Sequence, residues 1–304
     1  MNDFSFLGCS APFITELEMR IPTKSCVLLI LSVLTVSPAL FAQTGGSVPA
    51  TPESHSSPLD GQQIVNLSIA TTERNWDARN HYTYMERDQD RRLDGLGHVK
   101  SENVDITRTI VVHGAPFNQL VEHNGHPPSA EEQSRSGQDF ENLEHETPKE
   151  QTVRLAGEKE SSSFLREVVN AFDFHLIGEE TVEGRPAYVF HVTQHPGYHG
   201  HGKYGKMLSK VEGKLWVDKQ DFSWIKVDGQ VTQAFSMGLF VARVQRGSHV
   251  TLEQTRVSDG VWMPKRIEVR ASARILFFKS LEIDRILTYS DYCPAAGVPY
   301  YASK

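Results

Sequence analysis

The chain has 304 residues, a formal net charge of −7 and a mean hydropathy of −0.38, so it is long enough to bury a hydrophobic core. Because it has no basic excess, we expect no nucleic-acid partner. Its three cysteines are too few for a disulfide framework.

Residues 25–43 form a segment that is typical of an export signal. Its apolar run over residues 26–36 is too short for the ~20 residues that cross a bilayer, and it has the length of a signal-peptide h-region. The small residue Ala42 predicts cleavage before Gln43. We therefore predict a cleaved signal over residues 1–42 and a mature protein that is periplasmic or secreted, or associated with the outer membrane.

The first 18 residues do not resemble a signal n-region, because they carry three acidic residues and no basic one. Met19 is followed by Arg20 and Lys24, which supply the expected positive charge, so we expect translation to start at Met19. The alternative is an uncleaved signal that anchors the same domain to the membrane. Cleavage would leave Cys293 as the one cysteine and would change the formal charge to −6.

The mature chain begins with a polar stretch and continues as one domain. Residues 43–60 are rich in Gly, Ser, Pro and Thr and predict a disordered linker. A helix is predicted from Gly61, followed by a hairpin whose strands begin near His81 and Asn103. Residues 128–172 are acidic and predict a helical insertion that is solvated and has no partner. We predict a single domain over residues 61–294 and a tail over residues 295–304.

The second half of the mature chain predicts an antiparallel meander with short turns. Alternation is regular from Ile267 onward, where apolar residues face one side and charged residues the other. The whole pattern predicts a mainly β, α+β fold with one large curved sheet of roughly ten strands and helices on its concave face.

Three segments carry a family resemblance: Gly-Lys-Leu-Trp-Val-Asp at 213–218, Trp-Ile-Lys-Val at 224–227 and Val-Trp-Met-Pro-Lys-Arg-Ile at 261–267. In the order of its elements, the chain resembles the LolA-like superfamily of outer-membrane lipoprotein-sorting proteins, and within it a group of exported bacterial proteins of unassigned role. The resemblance implies a half-open β-barrel around an apolar cavity, with helices as a lid. It also implies lipid or lipoprotein acyl chains as the ligand.

The sheet carries the candidate ligand site. The residues predicted to line the cavity are Leu215, Val217, Ile225, Val227, Val231, Leu252, Ile267, Val269, Ala271 and Ile275. A glycine-rich loop over residues 195–206 is predicted to gate this cavity, with Tyr198 and Tyr204 as amphipathic plugs. Each methylene buried in such a cavity contributes about 0.8 kcal/mol. A further apolar run over residues 238–242 is a candidate docking patch for a partner or a membrane surface.

Histidines in the loop form a weaker candidate for a metal site. His195, His199 and His201 are of the type that ligates zinc, copper or nickel, with His191 nearby, but the loop contains no further Cys, Asp or Glu. Mobile, solvated histidines are the more common outcome for such a loop. We therefore predict no cofactor and no metal.

No motif of an enzyme is present in the sequence: it has no Gly-x-Ser-x-Gly, no His-Glu-x-x-His and no Gly-x-x-x-x-Gly-Lys-Ser/Thr. We therefore predict a protein that is not an enzyme and that carries lipid or lipoprotein acyl chains without covalent chemistry. One alternative is a protein-binding or sensor module that recruits an envelope protein through the sheet edge. The other is a metal-binding protein that uses the loop over residues 191–201.

Overall fold

The structure is a computed structural model, and it describes residues 59–152, 167–200, 202–237, 242–275 and 279–295. All of these lie within one unit, Val33–Lys304. The predicted signal peptide, nearly all of the predicted linker, the tail beyond residue 295 and residues 238–241 of the apolar run lie outside the described residues. Among the described segments, no helix has the length and apolar character that a membrane span requires.

The structure gives complete bounds for three α-helices and twelve strands in the described residues. The helices are α1 (Gly61–Ala78), α2 (Ala130–Glu144) and α3 (Gly202–Leu208), with a 3-10 turn at Arg79–His81. The strands are β1 (Tyr82–Leu93), β2 (Val99–Val112), β3 (Ala115–His123), β4 (Phe172–Val182), β5 (Arg185–Gln194), β6 (Val211–Asp218), β7 (Trp224–Val231), β8 (Phe235–Met237), β9 (Ala242–Val244), β10 (His249–Ser258), β11 (Val261–Ile275) and β12 (Lys279–Pro294).

The strands form one antiparallel sheet with two ends. Ten of them follow the order β3-β2-β1-β12-β11-β10-β7-β6-β5-β4, while β9 pairs with β11 and β8 pairs with β9. The predicted fold class is confirmed, with twelve strands where roughly ten were expected. The first and last strands, β1 and β12, are neighbours, so the N-terminal hairpin extends the C-terminal meander into one sheet.

Helix α1 begins at a capping box and packs on one face of the sheet. The Asp60 side chain accepts from the Gln63 backbone N–H at 2.7 Å, and the Gln63 side chain accepts from the Asp60 N–H at 3.1 Å. On the sheet side, Ile64 and Val65 pack against Phe190, Leu215 and Val217. We call this side of the sheet the helix face and the other side the open face.

The buried stripe of α1 contains polar residues at helical spacing. Ser68, Thr71, Asn75 and Ala78 are buried, whereas Leu67 is 42% exposed. The Ser68 hydroxyl accepts from Trp224 Nε1 at 3.0 Å, and the Asn75 amide donates to the Ser223 hydroxyl at 3.1 Å. These bonds fix α1 to β7 and to the turn before it.

The predicted acidic insertion is helical in its described parts, namely α2, residues 148–152 and residues 167–171. Ser129 and Glu132 form a capping box at the start of α2. The helix has no buried residue, but the Phe140 ring meets Phe117 of β3 edge-on at 5.3 Å. The prediction of a helix without a partner is therefore wrong, because this aromatic contact joins α2 to the sheet.

Two further elements differ from the sequence prediction. Helix α3 (residues 202–208) overlaps the end of the predicted glycine-rich loop, and its last residue, Leu208, packs with Val168, Ala171 and Phe172. Within the predicted meander, the sequence pattern over residues 222–235 favours one strand, but the structure divides it into β7 and β8. A glycine-rich composition hid the short helix, since glycine lowers helix propensity in any window.

Candidate functional site

The register of strand pairing aligns a set of apolar residues on the helix face of β10, β11 and β12. Directly opposite residues in an antiparallel pair share a face. Leu252 lies opposite Ile267, which lies opposite Leu287. In the neighbouring rows, Val250 lies opposite Val269, and Ala271 lies opposite Ile283. We call these residues the apolar strip: Val250, Leu252, Ile267, Val269, Ala271, Ile283 and Leu287.

Burial changes along this face. Ile267 and Leu287 are 1% and 4% exposed, but the other five members of the strip are only partly buried. The neighbouring core residues Phe190, Leu215 and Val217 pack under α1 and are buried. Helix α1 also contacts β11, but the five side chains of the strip stay partly exposed. Within the described part of the chain, the strip is therefore less buried than the core of β5 and β6.

The structure divides the predicted lining residues into separate groups. Leu215 and Val217 are fully buried under α1, and Val227 packs against the same cluster. Val231 ends β7 opposite Val211, and Ile275 ends β11 opposite Lys279 and Ala242. Four others belong to the apolar strip: Leu252, Ile267, Val269 and Ala271.

Ile225 lies on the other face, which corrects the prediction for this residue. It packs in an open-face cluster with Trp216 and Trp262. The reason is a β-bulge, because the register between β6 and β7 shifts after Trp216 pairs with Lys226 and before Val217 pairs with Trp224. The extra residue, Ile225, leaves the regular alternation that the sequence pattern assumed.

Charged residues continue the rows of the strip on β12, β1 and β2. Leu287 lies opposite Asp88, and Val269 lies opposite Arg285. Arg285 is 3% exposed, and its Nε donates to Asp88 Oδ1 at 2.7 Å while its Nη2 donates to Oδ2. This two-point contact satisfies both oxygens of the buried Asp88 carboxylate.

Two polar atoms beside this ion pair have no hydrogen-bond partner in the structure. They are Nη1 of Arg285 and Oδ1 of Asp90, both shielded from solvent. Asp90 lies directly opposite Arg285 in the β1–β12 register. Burial raises the pKa of the Asp90 carboxyl above its usual range, and the nearby charge of Arg285 offsets this only in part.

A second pair extends the charged region to the edge of the sheet. Asp105 of β2 lies opposite Asp88, and its Oδ1 is 2.6 Å from Nδ1 of His123 on β3. Like charges directly opposite each other on a sheet are destabilising. His123 and Arg285 therefore each provide a partner for one carboxylate of the Asp88–Asp105 pair.

Tyr198, one of the two predicted gate residues, is held in a packed cluster. Its hydroxyl donates to Glu167 Oε1, and its ring packs against Val168, Ala171, Phe172 and Leu208. Burial and the Glu167 carboxylate raise the pKa of Tyr198. The side chain of Tyr204, the other predicted plug, lies outside the described part of the structure.

The candidate metal ligands do not converge among the described residues. His195 Nδ1 is 2.7 Å from Asp173 Oδ1, while His199 is exposed. His201 lies outside the described residues. No group of three or more His, Cys, Asp or Glu side chains in the described segments is arranged to hold a metal ion.

The open face contains a separate polar cluster at the β6–β7 turn. Asp218, fully buried, accepts from Arg185 Nε at 2.6 Å and from the backbone N–H of Gln220 and Asp221. Burial opposes ionisation of Asp218, but these hydrogen bonds outweigh it and lower the pKa of the carboxyl. The arrangement closes a turn, so we assign it a structural role.

Sequence analysis missed Asp88, Asp90 and Arg285. Alternation along β12 is a signal that could have found Arg285. Arg285 lies between Ile283 and Leu287 at a spacing of two residues, so it shares their face. No local pattern identifies the acidic residues of β1, because the pairing of β1 with β12 spans nearly the whole domain.

The fold and the site define a mainly β protein with an open antiparallel sheet. On the helix face, the sheet is apolar under α1 and carries buried charges where β12 meets β1. No family model matches the sequence, and no curated protein matches it. Solved structures do match, and the LolA superfamily that the sequence motifs resemble is among them.

A LolA superfamily protein from Nitrosomonas europaea is 12% identical, with 79% of this chain and 96% of that chain covered and a TM-score of 0.31. An outer membrane lipoprotein-sorting protein domain from Vibrio parahaemolyticus is 10% identical, with 77% and 95% covered and a TM-score of 0.33. The MucA/MucB complex of Pseudomonas aeruginosa is 10% identical, with 76% and 99% covered and a TM-score of 0.21. At these values no function is inferred from the similarity.

Proposed function

We propose that this protein is an exported envelope protein that binds a lipid, or the acyl chains of a lipoprotein, along the apolar strip and transfers them without covalent chemistry. The observation that carries the proposal is the incomplete burial of the strip. Val250, Leu252, Val269, Ala271 and Ile283 are partly exposed on the face that is filled elsewhere by α1.

An acyl chain fits the chemistry of these side chains. The strip runs across three neighbouring strands, which lie about 4.8 Å apart, and includes the small residue Ala271. Burying ten methylenes would contribute roughly 8 kcal/mol before the costs of association are subtracted. Export is proposed from the signal segment over residues 25–43, and the carrier would act in the periplasm.

The proposal is tested by native mass spectrometry of the protein purified from an exporting host, followed by organic extraction. We expect a co-purifying mass that extracts as phospholipid, fatty acid or lipoprotein. Ile283→Asn places a polar amide in the strip and should reduce the bound lipid at least tenfold. A bare chain from the wild type, or unchanged lipid in Ile283→Asn, would contradict the proposal.

Ile286→Asn is the matched control. Ile286 lies on the same strand and is also partly buried, but it lies opposite Gln89 and Glu268 on the open face. Both substitutions remove one isoleucine from β12, so their effects on stability should be similar. We expect Ile286→Asn to retain the lipid of the wild type.

A second candidate function is supported by the outer edge of β4. This strand ends the sheet, and Leu176 and Ile177 on it are 44% and 54% exposed. We propose as the alternative that an extended segment of an envelope protein adds to this edge. The β4 strand has a bulge between Leu176 and Gly178. We therefore expect an added strand to pair with β4 either before or after this bulge, but not across it.

This alternative is tested by introducing a photocrosslinking amino acid at position 176 or at position 177 and irradiating the exporting host. We expect one partner whose crosslinked positions are adjacent in its sequence, as strand addition requires. Adducts with many unrelated proteins, or no adduct at either position, would contradict strand addition at β4.

A further inference from the structure

The charged end of the helix face adjoins the apolar strip directly. In one row, Val250 and Val269 are followed by Arg285 and then Asp90. In the next row, Ile267 and Leu287 are followed by Asp88. A ligand with an apolar chain on the strip would therefore present its polar end to this group of residues.

Two of the three guanidinium nitrogens of Arg285 donate hydrogen bonds, and the third has no acceptor. Its Nε and Nη2 hold Asp88, and its Nη1 is buried without an acceptor although the residue is 3% exposed. Nearly all buried polar atoms in proteins have a partner, so an unpartnered guanidinium N–H indicates a group that it can bind.

Asp90 supplies the complementary atom. It lies opposite Arg285, and its Oδ1 is a shielded oxygen without a donor. From directly opposite positions, the two side chains bring a donor nitrogen and an acceptor oxygen to the same end of the strip. A hydroxyl or an amide satisfies both, because each can accept one hydrogen bond and donate another.

The surrounding charges disfavour an anionic head group. Glu86, Asp88, Asp90 and Asp105 lie on this part of the face, where the cations of the described residues are Arg92 and Arg285. The buried one, Arg285, is already neutralised by Asp88. A carboxylate or phosphate placed here would lose its hydration beside like charges. A neutral head group avoids that cost.

We propose that Arg285 Nη1 and Asp90 Oδ1 bind the neutral hydroxyl or amide head group of an acyl ligand that lies on the apolar strip. This inference rests on the proposed function. It predicts selectivity for acyl ligands with a hydroxylated or amidated head over free fatty acids and over esters that lack a donor.

The test compares 1-oleoylglycerol, oleamide, oleate and methyl oleate by calorimetric titration of the delipidated full chain. We expect 1-oleoylglycerol and oleamide to bind at least tenfold more tightly than methyl oleate and oleate. In Asp90→Leu, the preference over methyl oleate should fall to less than threefold while methyl oleate binding is unchanged. The double variant Asp88→Leu/Arg285→Met, which removes the pair together, should lose the preference as well.

Asp284→Asn is the control. Asp284 is the neighbour of Arg285, and its Oδ1 also has no hydrogen-bond partner, but the carboxylate forms ion pairs with Arg91 and Arg270 on the open face. It should keep the full preference. Equal binding of the four ligands would overturn the polar site and leave acyl binding standing. Binding of none would overturn both proposals, and a preference that survives in Asp90→Leu would overturn the role of Asp90.

Discussion

The two halves of the sheet bury their helix faces by different means. Under α1, β5 and β6 contribute Phe190, Leu215 and Val217, which are 0%, 3% and 0% exposed. Across β10, β11 and β12 the same register rows continue with aliphatic residues that are mostly partly buried. The rows end in the Asp88–Arg285 ion pair.

This difference separates the part of the sheet that stabilises the fold from the part available for binding. A core filled by helix and sheet side chains leaves no space for a ligand. The strip ends at a buried ion pair, whose charged side chains add little apolar contact. The apolar side chains of the strip therefore keep part of their surface exposed. The two halves should therefore respond differently to substitution.

The largest effect is expected from Phe190→Ala. Phe190 is fully buried between α1 and the sheet, so truncation should cost about 4 kcal/mol in the free energy of unfolding. Phe174→Ala, in a partly buried position beside the same cluster, should cost clearly less. Denaturant unfolding measures both. Equal losses would show that α1 does not seal this half of the sheet.

Arg285→Met should cost about 3 kcal/mol because it leaves Asp88 buried without a partner. Adding Asp88→Leu should recover most of that loss, since the two apolar side chains replace the pair together. A double-mutant cycle by chemical denaturation gives the coupling between the two residues. Simple additivity of the two losses would contradict the buried pair.

Gly213→Ala tests the close approach of β6 and β7. A Cβ at Gly213 would lie 2.0 Å from the Asp228 carbonyl oxygen, so the backbone must shift, at a cost of about 2 kcal/mol. At Gly229, directly opposite, a Cβ would meet side-chain atoms at 3.4 Å and 3.6 Å. Thermal unfolding should show a lower Tm for Gly213→Ala and little change for Gly229→Ala. A similar Tm in both variants would rule out the contact.

Ser68→Ala removes the buried hydroxyl that accepts from the partly buried Trp224 indole N–H and should cost about 1 kcal/mol. Thr72→Ala, one turn later, removes only a hydroxyl that donates to the Ser68 carbonyl and should cost less. Tryptophan fluorescence during unfolding reports on both variants. A larger loss in Thr72→Ala would exclude the Ser68–Trp224 bond as the anchor of α1.

The smallest effect concerns the pH dependence of stability. Because the folded-state pKa of Asp90 is raised, its ionisation destabilises the fold at neutral pH, and this cost disappears as the pH falls to the unfolded-state pKa. Asp90→Asn should therefore raise Tm at pH 7 and match the wild type in acid.

Asp218→Asn should behave in the opposite way. The pKa of Asp218 is lowered, so its stabilising contribution is present at neutral pH and is lost as the pH falls through the folded-state value. Melting curves from pH 3 to pH 7 distinguish the two signs. The same pH trend in both variants would refute the assigned environments.

Local patterns were sufficient to predict most of the elements. The Asp60–Gln63 capping box is readable in the sequence, and the alternation from Ile267 to Ile275 predicted β11 and its faces. The buried stripe of α1 was harder to identify, because Ser68, Thr71 and Asn75 are polar residues that are buried through specific hydrogen bonds or close packing.

Features that depend on distant pairing were not predicted. The ion pair of Asp88 with Arg285 spans 197 positions and requires β1 to join β12. The bulge that moves Ile225 to the open face depends on the register between β6 and β7. Neither is encoded in a local window, which explains why four of the ten predicted lining residues lie in the strip and one lies on the opposite face.

The most direct test of the acyl-binding strip is photocrosslinking with an oleoyl probe that carries a diazirine in its chain, followed by mapping of the labelled residues by mass spectrometry. The account predicts labels on Val250, Val269, Ala271 and Ile283, and none on the open-face residues Trp216, Ile225 and Ile286. Labels concentrated on the open face, or absent from β10, β11 and β12, would contradict it.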